Sequence, residues 1–298
     1  MHLRQWILLF VLGAIWGGSF LFAKVAVAEI PPFVLVFLRV SSACAVLLLL
    51  LWSRGLLNKL TLRLAPSFLA MGLLNNAIPF SLLFFGQTAI GAGLASILNA
   101  TTPIFTVFVS SVIFRQEKLL TNRIAGVGLG VVGVAVMLSG SLSGIVSDPV
   151  WAQLCCLGAA VSYALAATFA KRFSSLPPVV SAAGQLSGST LIMLPIALYT
   201  AAGWSMADTS LIAWLNVLAL GILATAVAYL IYFQILAEAG ATNASLVTLL
   251  VPASAILFGW LILDETLTAV QLGGFAILLA GLIVLDGRLL KRKSSAPN

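Results

Sequence analysis

Trp16-Gly17-Gly18-Ser19-Phe20-Leu21-Phe22-Ala23-Lys24 returns, loosened, as Tyr163-Ala164-Leu165-Ala166-Ala167-Thr168-Phe169-Ala170-Lys171. Outward from this stretch the pairing holds: Pro31-Pro32 matches Pro177-Pro178, Pro103 matches Pro252, Glu117 matches Glu265, Gly126 matches Gly274 and Gly133 matches Gly281. The offsets run from 146 to 149 residues and change only by single insertions or deletions. Each half is long enough for five membrane crossings, an odd number, so the second copy must enter the bilayer in the opposite sense to the first. An inverted repeat of apolar helices is the sequence form of a secondary transporter, because two similar halves can rock around one shared site at mid-depth.

Composition puts the chain in lipid. Of 298 residues 61% are hydrophobic and 8% charged, with a mean hydropathy of +1.16, too little polar surface to coat a soluble globule of this size. Ten apolar runs read as spans, over residues 6–28, 33–53, 65–86, 92–113, 122–140, 150–172, 179–202, 211–236, 241–263 and 269–287. Each supplies about 20 residues, enough for a hydrocarbon core roughly 30 Å thick. Stretches such as Ala43 to Trp52 are apolar throughout, which excludes the alternating pattern of barrel strands. The expected fold is therefore all-α and integral to the membrane, with ten transmembrane helices as two inverted five-helix repeats around a central cavity. Residues 1–144 form the first repeat, 145–287 the second, and 288–298 a basic cytoplasmic tail.

The net charge of +7 raises the question of nucleic acid, and the placement of the basic residues answers it. With the N-terminus in the cytoplasm, Arg4, Arg54, Lys59, Arg63, Arg115, Lys118, Arg123, Lys171, Arg172, Arg288, Lys291, Arg292 and Lys293 all fall on the cytoplasmic side, 13 of the 15 Lys and Arg. This is the positive-inside pattern, so the basic excess is a topology signal facing lipid, and no nucleic-acid partner is expected. Both termini come out cytoplasmic. The N-terminal segment imitates a secretory signal, but its repeat partner lies mid-chain where no signal can act, so it is expected to stay as a helix.

Several motifs lead nowhere. Gly128, Gly130 and Gly133 spell a dinucleotide fingerprint inside an uninterrupted apolar helix, where no phosphate-cradling loop can form. Cys44, Cys155 and Cys156 lack metal-type spacing, and the single His2 is terminal, so no cofactor, metal site or nucleophile triad is expected. Small residues at Gly13 and Gly17, Gly126 and Gly130, and Ala280 with Gly281 let helices approach closely, and two readings stand: packing within one chain, the expectation for a monomer, or a dimer interface. All eight acidic residues fall in loops or at helix ends. Proton-coupled carriers usually hold a carboxylate within the membrane, so a gradient-driven facilitator is the expectation.

The candidate site is built from prolines, amides and aromatic residues. Pro103 and Pro252 occupy the centres of spans 4 and 9, and each frees the carbonyl four residues earlier, that of Asn99 and of Thr248. Two readings stand: kinks satisfied by neighbouring helices, or kinks bordering a cavity and serving as hinges for alternating access. Asn75, Asn76, Gln87, Ser96, Asn99, Thr101 and Thr102 gather on spans 3 and 4, and amides in lipid should face the bundle interior. Trp16, Tyr163, Tyr229 and Tyr232 lie on spans 1, 6 and 8, with Trp16 and Tyr163 as repeat partners. An aromatic cage with amide and hydroxyl groups suits a neutral or zwitterionic molecule with an apolar side chain, while packing or interfacial anchoring is the competing role of any one ring. Lys24 and Arg39 either snorkel to the outer surface or capture a substrate carboxylate at the outer mouth. Glu117 and Glu265 are expected to be structural, fixing the hairpins to spans 5 and 10 by capping N–H groups.

The doubled Trp16-Gly17-Gly18-Ser19-Phe20 with Lys24, Pro103 with Glu117, and Pro252 with Asp264-Glu265-Thr266 and Gly273-Gly274 resemble the ten-helix EamA-type branch of the drug/metabolite transporter superfamily, over nearly all of residues 5–288. Within it the chain resembles the YddG-like exporters of aromatic and other neutral amino acids. That resemblance implies ten helices around a cavity lined by spans 1, 3, 4, 6, 8 and 9, and efflux across the bacterial inner membrane. It points to Asn76, Thr101 and Tyr163. The expected substrate-binding set is Trp16, Asn76, Asn99, Thr101, Tyr163, Tyr229 and Thr248, the expected partners are amino acids and membrane lipid, and the chain is not expected to be an enzyme. Efflux of amphipathic drug-like compounds or another metabolite is the second transport reading. A lipid-modifying membrane enzyme would need converging His, Asp, Glu or Cys residues, which this sequence does not supply.

Overall fold

The computed structural model describes residues 2–115, 120–144 and 146–287. Those residues form helices and connections only, with no strand among them. Among the described residues nine helical stretches are long and apolar enough to cross a membrane: Leu3–Val27, Pro32–Ser53, Leu62–Gln87, Ala92–Ile113, Thr121–Leu142, Val150–Phe173, Pro178–Thr200, Leu211–Ala239 and Ala269–Asp286. These are spans 1 to 8 and span 10. Span 9 comprises a single turn, Ala241–Ala244, followed by Val247–Leu263. Large apolar side chains such as Leu49, Trp52, Val131, Leu215 and Trp260 stay exposed on the outside of the bundle, as a lipid-facing surface requires.

The bundle is held mainly by contacts between the two repeats. Span 1 packs on span 9 and span 6 on span 4; span 3 packs on span 7 and span 8 on span 2; spans 2 and 7, and spans 5 and 10, meet their own counterparts. Exchanging the two repeats exchanges these pairs, the pattern of a pseudo-two-fold axis in the membrane plane. The small residues read from the sequence are at these seams. A Cβ on Gly126 would lie 2.7 Å from the carbonyl oxygen of Gly281, and one on Gly17 2.8 Å from that of Val251. Span 1 is embedded in the bundle, with Leu9 and Leu12 fully buried against spans 8 and 9.

Three helices depart from regularity without any sequence mark: Leu73–Ala77 in span 3, Val109–Ile113 in span 4 and Ala219–Val227 in span 8 are π-helical. Spans 3 and 8 are repeat counterparts, so the distortion of that pair is mirrored. The wider turn brings Asn75 and Asn76 on one helix, and Thr225 on the other, into the interior, where such turns are frequently found at functional sites.

The proline expectation needs correction in one half. Span 4 breaks just before Pro103, between Ala92–Asn99 and Thr102–Phe108, and the Thr102 hydroxyl donates to the freed Asn99 carbonyl at 2.7 Å. Span 9 continues helical through Pro252, and its break falls earlier, at Ser245 and Leu246. The break in span 9 is therefore displaced by about one turn from the mirror position of that in span 4, and the breaks do not share the proline register.

Candidate functional site

A cavity of about 710 Å³ lies between the repeats, within the range of sites that enclose small molecules. Its two ends differ. Toward the face bearing Lys171 and Arg172 it is bordered by Ser174, Pro178 and Ser245, all exposed. At the other end its wall is formed by Phe20, Phe84, Gln87 and Ser96, all buried. Polar contacts seal that end: the Gln87 side-chain amide donates to the Phe20 carbonyl at 2.8 Å, and the Lys24 ammonium to the Gln87 carbonyl at 2.9 Å. The cavity thus opens on the basic face and is closed on the opposite one.

Trp16, Asn99, Tyr163, Tyr229, Thr248 and Pro103 line this space. Trp16 packs against Tyr232, ring centres 5.5 Å apart, and Tyr163 sets its edge against Phe80 at 6.4 Å. Asn76, Thr101 and Pro252 are not on the wall. Asn76 is fully buried behind it, its Oδ1 accepting from the Tyr229 hydroxyl at 3.3 Å. The Thr101 hydroxyl is turned back onto the Leu98 carbonyl at 2.6 Å. Of the three residues that the family resemblance singled out, Tyr163 alone lines the cavity.

Residues outside the expected substrate-binding set complete the wall, among them Asn75, Arg39 and Gln185, of which Gln185 alone is not singled out from the sequence. Asn75 donates to the Gln185 side-chain carbonyl oxygen at 3.1 Å and to the Tyr229 hydroxyl at 3.4 Å, an amide-phenol chain joining spans 3, 7 and 8. Gln185, an amide in the middle of an apolar span, carries the same signal as Asn75. Arg39 corrects the snorkelling expectation. It is 6% exposed, its Nε donates to Thr225 Oγ1 at 3.0 Å, and its guanidinium lies 3.8 Å above the centre of the Phe80 ring. Lys24 is half-buried in the seal described above rather than reaching the surface.

Glu265 does cap N–H groups, but not those of its own hairpin. Its carboxylate accepts from the backbone of Ala92 at 3.0 Å and of Gly93 at 3.3 Å, the start of span 4 in the other repeat. Span 10 is capped by Thr268 and Gln271 instead, in a reciprocal box. Glu117 lies outside the described residues, as does the 288–298 tail. Among the described residues no group of His, Cys, Asp or Glu side chains could hold a metal ion, and no acidic residue lines the cavity.

Comparison with known proteins follows the same division into halves. The model of the EamA-like transporter family matches residues 4–139 and again residues 150–285. The chain belongs to that family. It is a multi-pass membrane transporter. A Bacillus subtilis protein named uncharacterized transporter YoaV is 26% identical over 94% of this chain and 95% of its own length. Proteins named probable amino-acid metabolite efflux pump are 28% identical in Salmonella typhimurium, over 91% of this chain and 90% of theirs, and 27% identical in Escherichia coli, over 95% of both. A solved crystal structure shares the fold, with a TM-score of 0.67 at 20% identity, covering 99% of this chain and 100% of the other.

Proposed function

We propose that this transporter exports neutral amino acids, aromatic and other apolar ones included, across the bacterial inner membrane by alternating access between its two halves. The observation that carries the reading is the cavity itself. It is walled by Trp16, Tyr163, Tyr229 and Tyr232 together with the amides of Asn75, Asn99 and Gln185, and drawn from both repeats. Aromatic surface accepts an apolar side chain while amides pair with polar backbone groups, and the volume accommodates a single amino acid. The names of the Salmonella typhimurium and Escherichia coli relatives point the same way.

In this reading the basic face is cytoplasmic and both termini lie there, since basic connections are retained inside. The open cavity is then the loading state of an exporter, and closure there with opening at the Gln87 end releases the solute. Among the described residues no acidic side chain on the wall supplies a proton relay, so in this reading the gradient of the amino acid drives the cycle. Proteoliposomes loaded with unlabelled Met, Phe or Thr should accumulate the labelled amino acid by counterflow. Absence of flux for every neutral amino acid would refute the assignment.

A further inference from the structure

Arg39 is a buried cation without a buried anion. Its one hydrogen bond to the described residues is the neutral one from Nε to Thr225 Oγ1, and Phe80 covers one face of the guanidinium. A guanidinium carries five N–H donors in a fixed fork and stays charged. Placing it in the membrane interior is costly unless something negative meets it. Thr225 and a ring face supply only partial compensation, the ring through its quadrupole. No Asp or Glu shares the wall, and Arg39 pairs with none among the described residues. Yet Arg39 itself borders the cavity.

We infer that the missing anion is the solute's: Arg39 is the anchor for the substrate carboxylate. The inference rests on the amino-acid reading above and sharpens it, since it makes a carboxylate obligatory and excludes amphipathic cations, which the guanidinium repels. The surroundings hold the anchor in place. Thr225 sits on the π-helical turn of span 8, its own hydroxyl bonded to the Leu220 carbonyl at 2.8 Å, and so aims Nε. Phe80 fixes the plane of the fork and is itself packed edge-on by Tyr163. A planar fork held by its Nε side and its face leaves the η nitrogens to receive two carboxylate oxygens.

The experiment compares ligands that differ only at the carboxylate. Purified protein in detergent is titrated with phenylalanine and with phenylalaninamide, and apparent affinity is read from thermal shift. In the wild type the amide should bind at least about tenfold more weakly than the acid, the value of one charge-assisted hydrogen bond or more. Arg39→Gln should lose most of its affinity for the acid and with it the discrimination, acid and amide binding alike, whereas Arg39→Lys should retain part of both. Equal binding of acid and amide by the wild type would overturn the anchor and leave the amino-acid reading standing. Binding of neither would overturn both. The wild-type comparison decides the matter even if the Arg39 variants fail to fold.

Discussion

Gly133 of span 5 and Gly274 of span 10 meet backbone to backbone: a Cβ on either would lie 2.7 Å from the carbonyl oxygen of the other. In sequence, Gly133 is the counterpart of Gly281, and Gly274 that of Gly126, and in space Gly126 and Gly281 make the same contact one register away. Equivalent residues therefore trade places across the seam, which happens only when the two helices run antiparallel about a two-fold. Inverted insertion is thus written into the packing of two glycine pairs.

Replacing Gly133 by Leu should force spans 5 and 10 apart, because backbone atoms cannot yield as a flexible side chain would. Overpacking of this kind costs about 1–3 kcal/mol, and the melting temperature in detergent should fall accordingly. Gly128 lies on the same helix, but a Cβ there would meet nothing within 4 Å, so it serves as control. Gly128→Ala should melt with the wild type.

Glu265 carries the opposite prediction, a change in conformation more than in fold. Its carboxylate receives the Ala92 and Gly93 N–H groups at the positive end of span 4 and so ties the 9–10 connection to the other repeat on the closed side of the cavity. Loss of a capping side chain costs about 1 kcal/mol, roughly a fivefold shift in a two-state equilibrium. In a background lacking Cys44, Cys155 and Cys156, a cysteine at Ser96 on the sealed wall should react slowly with an impermeant maleimide added from that side. Glu265→Ala should raise the rate about fivefold by the same arithmetic. An unchanged rate would assign the contact to folding alone.

The repeat, the span count and the aromatic and amide composition of the cavity are legible in the sequence because they depend on residue type and order. Trp16, Asn99, Tyr163, Tyr229 and Thr248 stand out as polar or half-polar residues in apolar helices, and the bundle has one interior in which to place them. Arg39 is visible as a charge within span 2, but its destination is not. Snorkelling and burial differ by which helix face looks inward, and a span of almost unbroken apolar residues carries little periodicity to say so. Its partner Thr225 is 186 residues away. Glu265 escapes for the same reason, since sequence proximity suggests its own hairpin whereas the N–H groups it meets are 173 and 172 residues distant. The π-helical turns and the early break of span 9 are settled by tertiary packing, which outweighs the local proline rule.

Glu29 gives a pH dependence outside the spans. The Ser210 hydroxyl and backbone N–H both donate to its carboxylate at 2.7 Å, which joins the connection after span 1 to the start of span 8. These hydrogen bonds favour the ionised form and hold the carboxyl below its ordinary value, side-chain bond first, backbone bond second. A group depressed in the folded state stabilises it above the unfolded pKa, about 4.3 for Glu, and that contribution fades as pH falls through the lower folded value. The melting temperature of the wild type relative to Glu29→Gln should therefore be higher at neutral pH, and the gap should close on acidification below pH ~4. A gap that widens as the pH drops would contradict the assignment. The site is exposed, so the effect should be small.

Tyr163 and Tyr229 line one cavity but should fail in different ways. No hydrogen bond of the Tyr163 hydroxyl to another described residue accompanies its ring contact with Phe80, so its contribution is surface: Tyr163→Phe should transport normally, and Tyr163→Ala should lose most counterflow while melting close to the wild type, because the lost ring enlarges a space already open. Tyr229 has a hydroxyl that accepts from Asn75 and donates to Asn76 Oδ1. Tyr229→Phe keeps the ring and the Asn75 bond to Gln185 but leaves the buried Asn76 Oδ1 without its donor, a cost of about 1–3 kcal/mol. Its melting temperature should drop even where the ring still contacts solute. Counterflow and melting measured on all three variants separate the roles: a Tyr163→Ala protein with normal flux would remove that ring from the site, and a Tyr229→Phe protein as stable as the wild type would show that the amide chain closes without it.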